Sequence, residues 1–220
     1  MIFPMNVLRI PRWLTVLFLA VLLTVCAVIF CFFQLRVTDN SLSPQLQTGD
    51  RVFINRLGSL RRGKIVAYQN PFMPTGVNYC LGRCLAMPGD TLRLFMETSV
   101  SDSVAPGYVW RDVIVPRRNQ PVEITPWNKG LLSNALFSYE HSNVCEQCDT
   151  ILIINGAPQR EVIFTHDYVW ISARGDSLVS DSRLFGFLPV DKILGTVPFI
   201  SYSIQEDFSF PLDRIFKPLH

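Results

Sequence analysis

The chain has 220 residues, 49% of them hydrophobic and 17% charged. That composition excludes a disordered tail and suffices for one domain with a real core, or two small ones. A formal net charge of +2, evenly spread, gives no footing for a nucleic-acid partner, and none is expected.

Trp13 to Phe33 reads WLTVLFLAVLLTVCAVIFCFF, without a charge. A helix of that length, at about 1.5 Å per residue, spans a hydrocarbon core of roughly 30 Å. The run exceeds the roughly 7–15 apolar residues of a cleavable signal peptide, and no A-x-A-like site follows. The next residues are Gln34-Leu35-Arg36-Val37-Thr38. Arg9 and Arg12 precede the run and only Arg36 follows closely. This charge asymmetry predicts a cytoplasmic N-terminus, a single pass through the plasma (inner) membrane, and an extracytoplasmic body. Residues 1–35 are thus the expected cytoplasmic end and bilayer anchor.

Past the anchor, short runs of strand composition alternate with turn residues. Arg51–Asn55, Lys64–Tyr68, Tyr79–Met87, Thr91–Phe95, Tyr108–Val115, Ile151–Asn155, Tyr168–Ser172 and Ile193–Tyr202 are predicted strands. Thr48-Gly49-Asp50, Pro88-Gly89-Asp90 and Asn155-Gly156 punctuate them as turns. No segment past residue 40 sustains a long amphipathic helical period, so the predicted class is mostly β. The stretch from about Glu97 to Phe164 is richer in Pro, Asn and Ser. It reads as an inserted lobe (97–164) between two parts of one β core, 36–96 and 165–220.

Four blocks carry a family resemblance. Asn40-Ser41-Leu42-Ser43-Pro44-Gln45-Leu46, followed by Gly49-Asp50, is similar to a Ser-Met-x-Pro-Thr-Leu block that comes just after a membrane anchor. Arg62-Gly63-Lys64-Ile65-Val66-Ala67-Tyr68 resembles an R-G-D-I-V-x-F strand. Arg83-Cys84-Leu85-Ala86-Met87-Pro88-Gly89-Asp90 resembles K-R-x-x-x-x-P-G-D, and Asp181-Ser182-Arg183-Leu184-Phe185-Gly186 resembles D-S-R-x-x-G. Each is weak alone, since such residues form ordinary turns. In this order behind an apolar anchor, they make the chain resemble the type I signal peptidases (peptidase family S26).

The resemblance implies a signal-peptidase-like β core at the outer membrane surface. It implies recognition of the extended stretch before a signal-peptide cleavage site, with small side chains preferred near the cut. A serine attacks the peptide carbonyl in that family and a lysine is the general base. Ser41 occupies the nucleophile position, and Asp181 and Arg183 fall on the last block as a structural ion pair. The substrate strand is expected along Val37, Thr38 and Asp39 on one side and Tyr79, Cys80 and Leu81 on the other, by strand addition.

The sequence then departs from the pattern. Counted back from Pro88-Gly89-Asp90, the lysine position falls on Gly82, which has no side chain to take a proton. Arg83 beside it stays protonated. A serine hydroxyl needs a base within hydrogen-bond reach, so the dyad is incomplete. Asp39, two residues before the serine, would repel the charge an oxyanion hole must stabilise. The lysine-orienting serine of the last block is Val179, and its Gly-Asp-Asn opening falls on Ala173-Arg174-Gly175. Lys64 and His166 are the alternative bases, with nothing in the sequence to place them beside Ser41.

Cys26 and Cys31 fall inside the apolar run. Cys145 and Cys148 form a C-x-x-C that reads as a loop disulfide in an oxidising compartment. His141 lies at a ligand-like spacing from it, but a zinc site lacks a fourth ligand. Cys80 and Cys84, four apart on a strand, are too distant to bridge. No metal and no cofactor is expected. The expected function is binding of exported, signal-peptide-bearing preproteins at the membrane without cleavage. A working signal peptidase using Ser41 and another base is the alternative, and a purely structural β domain is the third reading.

Overall fold

The computed structural model describes residues 11–38, 40–71, 79–98, 107–148, 151–173, 181–205 and 209–219. Helix α1 (Arg12–Cys31) opens after Pro11, whose backbone is extended. Its two threonines turn their hydroxyls onto the preceding turn, Thr15 to the Arg12 carbonyl at 2.7 Å and Thr24 to the Ala20 carbonyl at 2.8 Å. At Phe32 the backbone becomes extended, so Phe32 and Phe33 leave the helix for strand β1 (Phe32–Arg36). Among the described residues no helix is long and apolar enough to cross a membrane.

The remaining elements follow in chain order. They are β2 (Asp50–Asn55), β3 (Ile65–Gln69), β4 (Tyr79–Ala86), β5 (Thr91–Thr98), β6 (Gly107–Ile114), β7 (Pro121–Glu123) and α2 (Lys129–Tyr139). Then come β8 (Val144–Cys148), β9 (Ile151–Ile154), β10 (Ala157–Gln159), β11 (Glu161–Ile163), β12 (Tyr168–Ser172) and α3 (Ser182–Phe185). The chain closes with β13 (Leu188–Pro189), β14 (Ile193–Ser203) and β15 (Lys217–Pro218). The fold is mostly β.

The main sheet is antiparallel in the order β1-β2-β14-β3-β4-β12-β13, with β15 on β14. Strand β14 bridges it, pairing β3 through Ile193–Thr196 and β2 through Thr196–Ser203, with register breaks along its length. Such breaks bend a strand and sharpen its twist. The sheet curls around one cluster that includes Val37, Leu42, Leu46, Val52, Ile54, Ala67 and Ile200, with Leu35 and Leu81 packed against it. Strand β2 shows the pleat directly: Asp50, Val52 and Ile54 are fully buried and alternate with half-buried neighbours. A second cluster, with Val66, Tyr68, Cys84, Val169, Ile171 and Phe185, forms another core around β3, β4 and β12.

Residues between β4 and β12 build the β5–β6 hairpin, the β7–β11 pair and the β8–β9–β10 sheet. Their core joins Val113, Val122, Leu132, Leu136 and Leu152 to Tyr168, Trp170 and Phe187, so β12 contributes to both sides. Helix α2 departs from the sequence expectation. Its segment KGLLSNALFSY is short and buries only Leu132, Ala135 and Leu136, too little apolar periodicity to register as a helix. Cys26, Cys80 and Cys84 form no disulfide. The side chains of Cys31, Cys145 and Cys148 lie outside the described residues.

Candidate active site

Ser41 opens a tight turn on the link that follows β1. The Ser43 amide donates to the Asn40 carbonyl at 3.0 Å, and the Gln45 and Leu46 amides donate to Leu42 at 3.1 Å each. Asn40 accepts from the Thr48 amide at 3.0 Å through its side-chain oxygen. Leu42 and Leu46 anchor the turn in the curled core. Val37 is tied to Asp50 and Gly49 by amide–carbonyl bonds of 2.8 and 3.0 Å. Gly49 has φ +95°, and a Cβ there would lie 2.2 Å from the Ile204 carbonyl oxygen, so no other residue fits that corner.

The turn is also fixed from beneath by a pair the sequence did not single out. Asp50 is fully buried and Arg214 is 5% exposed. Arg214 Nε donates to Asp50 at 2.9 Å, with a second bond through Nη2, and Nη2 also donates to the Gln45 carbonyl at 3.1 Å. The Gln47 amide donates to Asp50 Oδ2 at 2.9 Å. The hydrogen bond to Asp50 leads in raising the pKa of the Arg214 guanidinium. Gly49-Asp50 reads as a turn in the sequence. Its buried charge becomes visible only when the distant Arg214 arrives.

Ser41 itself is buried, 4% exposed. It lines a crevice with Leu35, Arg36, Val37, Thr38, Leu42, Tyr79 and Leu81. Five expected site residues therefore meet here: Ser41, Val37, Thr38, Tyr79 and Leu81. The crevice volume is about 20 Å³, close to the roughly 10–15 Å³ that one water needs. Only a very small group fits beside the serine. Cys80 points the other way, into the cluster with Tyr68 and Ile171, because successive residues of a strand face opposite sides. Cys80 therefore offers the crevice its backbone alone. Asp39 lies outside the described residues.

Backbone edges lie on either side of this crevice. The first half of β4 pairs β3 through Tyr79↔Gln69, Cys80↔Tyr68 and Leu81↔Ala67. Among the described residues strand β12 joins its other side from Arg83 onward. Strand β1 is, among the described residues, the last strand on its side of the sheet. The Phe33 and Tyr79 rings stand 6.1 Å apart edge-on, which places β1 opposite the beginning of β4 across the curl.

Gly82 pairs with Val66 in β3. A Cβ built there would lie 2.3 Å from Ile171 Cγ2 and 3.1 Å from Tyr68 Cε1. The space where a side chain would begin is occupied by a methyl group and a ring. Ile171 is locked in place: its amide donates to Ser182 Oγ at 2.9 Å, and the amide of Ala173, two residues on, donates to Asp181 at 3.0 Å. Asp181 caps α3 by accepting from the Arg183 amide at 2.9 Å and pairs with the Arg183 guanidinium at 2.9 Å. Arg183 Nη2 in turn donates to the Ala173 carbonyl at 3.0 Å. Asp181 and Arg183 thus clamp the end of β12. Arg174, Gly175 and Val179 lie outside the described residues.

Neither alternative base lines the crevice. Lys64 directly precedes β3, where its carbonyl accepts from the Cys84 amide at 2.9 Å. His166 sits on the link into β12 with Nδ1 3.1 Å from Glu140, in a separate cavity beside α2. Among the described residues no lysine or histidine lines the Ser41 crevice, and no group of three or more His, Cys, Asp or Glu is placed to hold a metal. Arg83 bonds the Gly63 carbonyl and the Gln45 side chain, bracing the serine turn against β4.

An antiparallel sheet curled around a buried serine turn, with an Asp–Arg clamp at its far end, defines a signal-peptidase-type scaffold. The sequence model described as signal peptidase, peptidase S26, matches residues 10–202, and the chain belongs to that family. Membership of a signal peptidase family implies polypeptides bearing signal peptides as substrates. None of the curated proteins matches the chain.

Proposed function

We propose that this protein is a membrane-anchored, signal peptidase I-like module that binds exported preproteins at the outer face of the plasma (inner) membrane and does not cut them. The observation that carries this reading is the filled space at Gly82. Proteolysis by a serine needs a neutral amine or imidazole within hydrogen-bond reach, and the position that would supply it is packed with Ile171 and Tyr68. Two backbone stretches beside Ser41, β1 and the first half of β4, are suited to an added strand, and the narrow crevice suits a residue with a small side chain. Anchoring rests on the uncharged run Trp13–Phe33. It is also supported by the exposure of α1 side chains such as Trp13, Phe18 and Leu23, an apolar surface that calls for lipid. Residues 36–96 and 165–220 would form the binding core, with 97–164 as an inserted lobe.

Ser41 itself favours a second reading. It is retained, buried and held in a braced turn, as a nucleophile would be, so an active peptidase with an unidentified base is the rival. The deciding experiment offers a signal-peptide-bearing preprotein to the purified full chain in detergent micelles, beside Ser41→Ala. The expected result is no cleavage by either protein, with the preprotein retained by both. Cleavage by the wild type that disappears in Ser41→Ala would overturn the non-catalytic reading.

A further inference from the structure

A cavity apart from the Ser41 crevice, sharing none of its lining residues, lies between the end of β3, the end of α2, the link before β12 and the turn after β13. Its volume is about 390 Å³, within the roughly 300–1,000 Å³ of small-molecule sites. One wall is apolar, made by Pro71, Leu188, Pro189 and the ring of Tyr139. His141, His166 and Lys192 line it too, and among the described lining residues Asp191 is the one carboxylate.

The second nearby carboxylate does not count against an anion. Glu140 is turned away and saturated with donors. It accepts from the Thr165 amide at 3.0 Å, the Thr165 hydroxyl, the His166 ring at 3.1 Å and the Tyr168 hydroxyl at 3.1 Å. Because His166 presents Nδ1–H to this carboxylate, Nε2 is the nitrogen left for a ligand, and the ring orientation is set before anything binds. Among the described residues Lys192 makes no ion pair. The Tyr139 hydroxyl stays protonated, its pKa pushed up to about 12 by burial and by the Asp191 carboxylate, so it is a donor at any physiological pH.

We infer that this cavity is a binding site for a small organic carboxylate, with Lys192, His166 and His141 on the anionic head and the Leu188–Pro189 wall on the apolar body. A bare inorganic anion would leave that wall unused, and a neutral ligand would leave Lys192 without its counter-charge. The inference stands independently of whether Ser41 cuts anything.

The chain has three histidines, so their ring signals can each be assigned by substitution and followed by NMR on the full chain in micelles. Benzoate is the probe, with benzamide as its neutral isostere and inorganic phosphate as the anion without a body. Benzoate should move the His141 and His166 signals saturably below about 10 mM, with benzamide and phosphate each at least about tenfold weaker. Lys192→Ala should weaken benzoate about tenfold, whereas Asp191→Asn should tighten it. A misfolded variant cannot produce that second result. Unsaturated shifts, equal response to benzamide, or variants that leave benzoate binding unchanged would overturn the assignment.

Discussion

Adding one methyl group at position 82 probes whether Ile171 and Tyr68 fill the space beside Gly82. In Gly82→Ala the new carbon would stand 2.3 Å from Ile171 Cγ2 and 3.1 Å from Tyr68 Cε1, where relaxed carbons sit about 3.5–4.0 Å apart. Neither neighbour yields easily. Ile171 is fully buried, and its backbone is held by Ser182. Overpacking of this kind costs about 1–3 kcal/mol. Ile171→Ala alone removes the offending methyl and opens a hole, at about 2–5 kcal/mol. In the double variant the methyl added at position 82 enters the vacated space, so the combined loss should fall short of the sum by about 0.5–3 kcal/mol. Urea unfolding in micelles, followed through the fluorescence of Trp170 beside Ile171, measures all four corners of the cycle. Additivity within about 0.5 kcal/mol, or a neutral Gly82→Ala, would refute the claim that Ile171 fills the space beside Gly82.

Two further outcomes follow from buried polar groups elsewhere. Arg214→Ala strands the fully buried Asp50 carboxylate beneath the serine turn, and breaking such a pair costs about 3–5 kcal/mol. The loss should appear both in unfolding and in weaker preprotein retention, and retention that survives would detach the turn from the binding groove. At Glu140, burial pushes the carboxyl upward, but hydrogen bonds from Thr165, His166 and Tyr168 outweigh it and hold the pKa below the ordinary value. A depressed folded-state pKa gives stability that is present above the unfolded value, about 4.3, and is lost as pH falls through the folded one. Glu140→Gln should therefore flatten the acid limb of a stability–pH profile below about pH 4.3, and an unchanged limb would refute it.

The strands were legible because alternation and turn residues are local. Tyr168–Ser172 matches its expected bounds and Arg51–Asn55 differs by one residue, with β2 beginning at Asp50. Strand β1 hides inside the apolar run, since Phe32 and Phe33 serve a helix or a strand equally well until Asn55 and Ile54 are placed beside them. Of the candidate site, the sequence placed Val37, Thr38, Ser41, Tyr79 and Leu81, which line one crevice, but not which way each strand residue faces. Cys80 and Leu81 look equivalent in the sequence, yet the pleat sends one to the inner cluster and the other to Ser41. Gly82 announced a missing side chain. That a residue far along the chain, Ile171, fills the space beside it depends on β12 pairing with β4, which no local signal carries. Arg214 and Glu140 escaped for the same reason, because a buried charge is recognised by its partner and not by its neighbours in sequence.

Whether an amine at position 82 could serve Ser41 is set by the direction that position faces. Gly82→Lys alone would drive a long side chain into Ile171 and should unfold the protein. Paired with Ile171→Ala, the lysine stem gains the vacated space and lies among Tyr68, Val66 and Cys84. That space is on the face of β4 that Gly82 shares with Cys80, whereas Leu81 faces the Ser41 crevice, since successive residues of a strand point to opposite sides. The double variant should therefore fold and still cut nothing, although the braces of the Ser41 turn at Asp50, Arg214 and Arg83 are untouched. Cleavage that appears in Gly82→Lys/Ile171→Ala and vanishes when Ser41→Ala is added would refute this facing argument and show that an amine at position 82 reaches the serine.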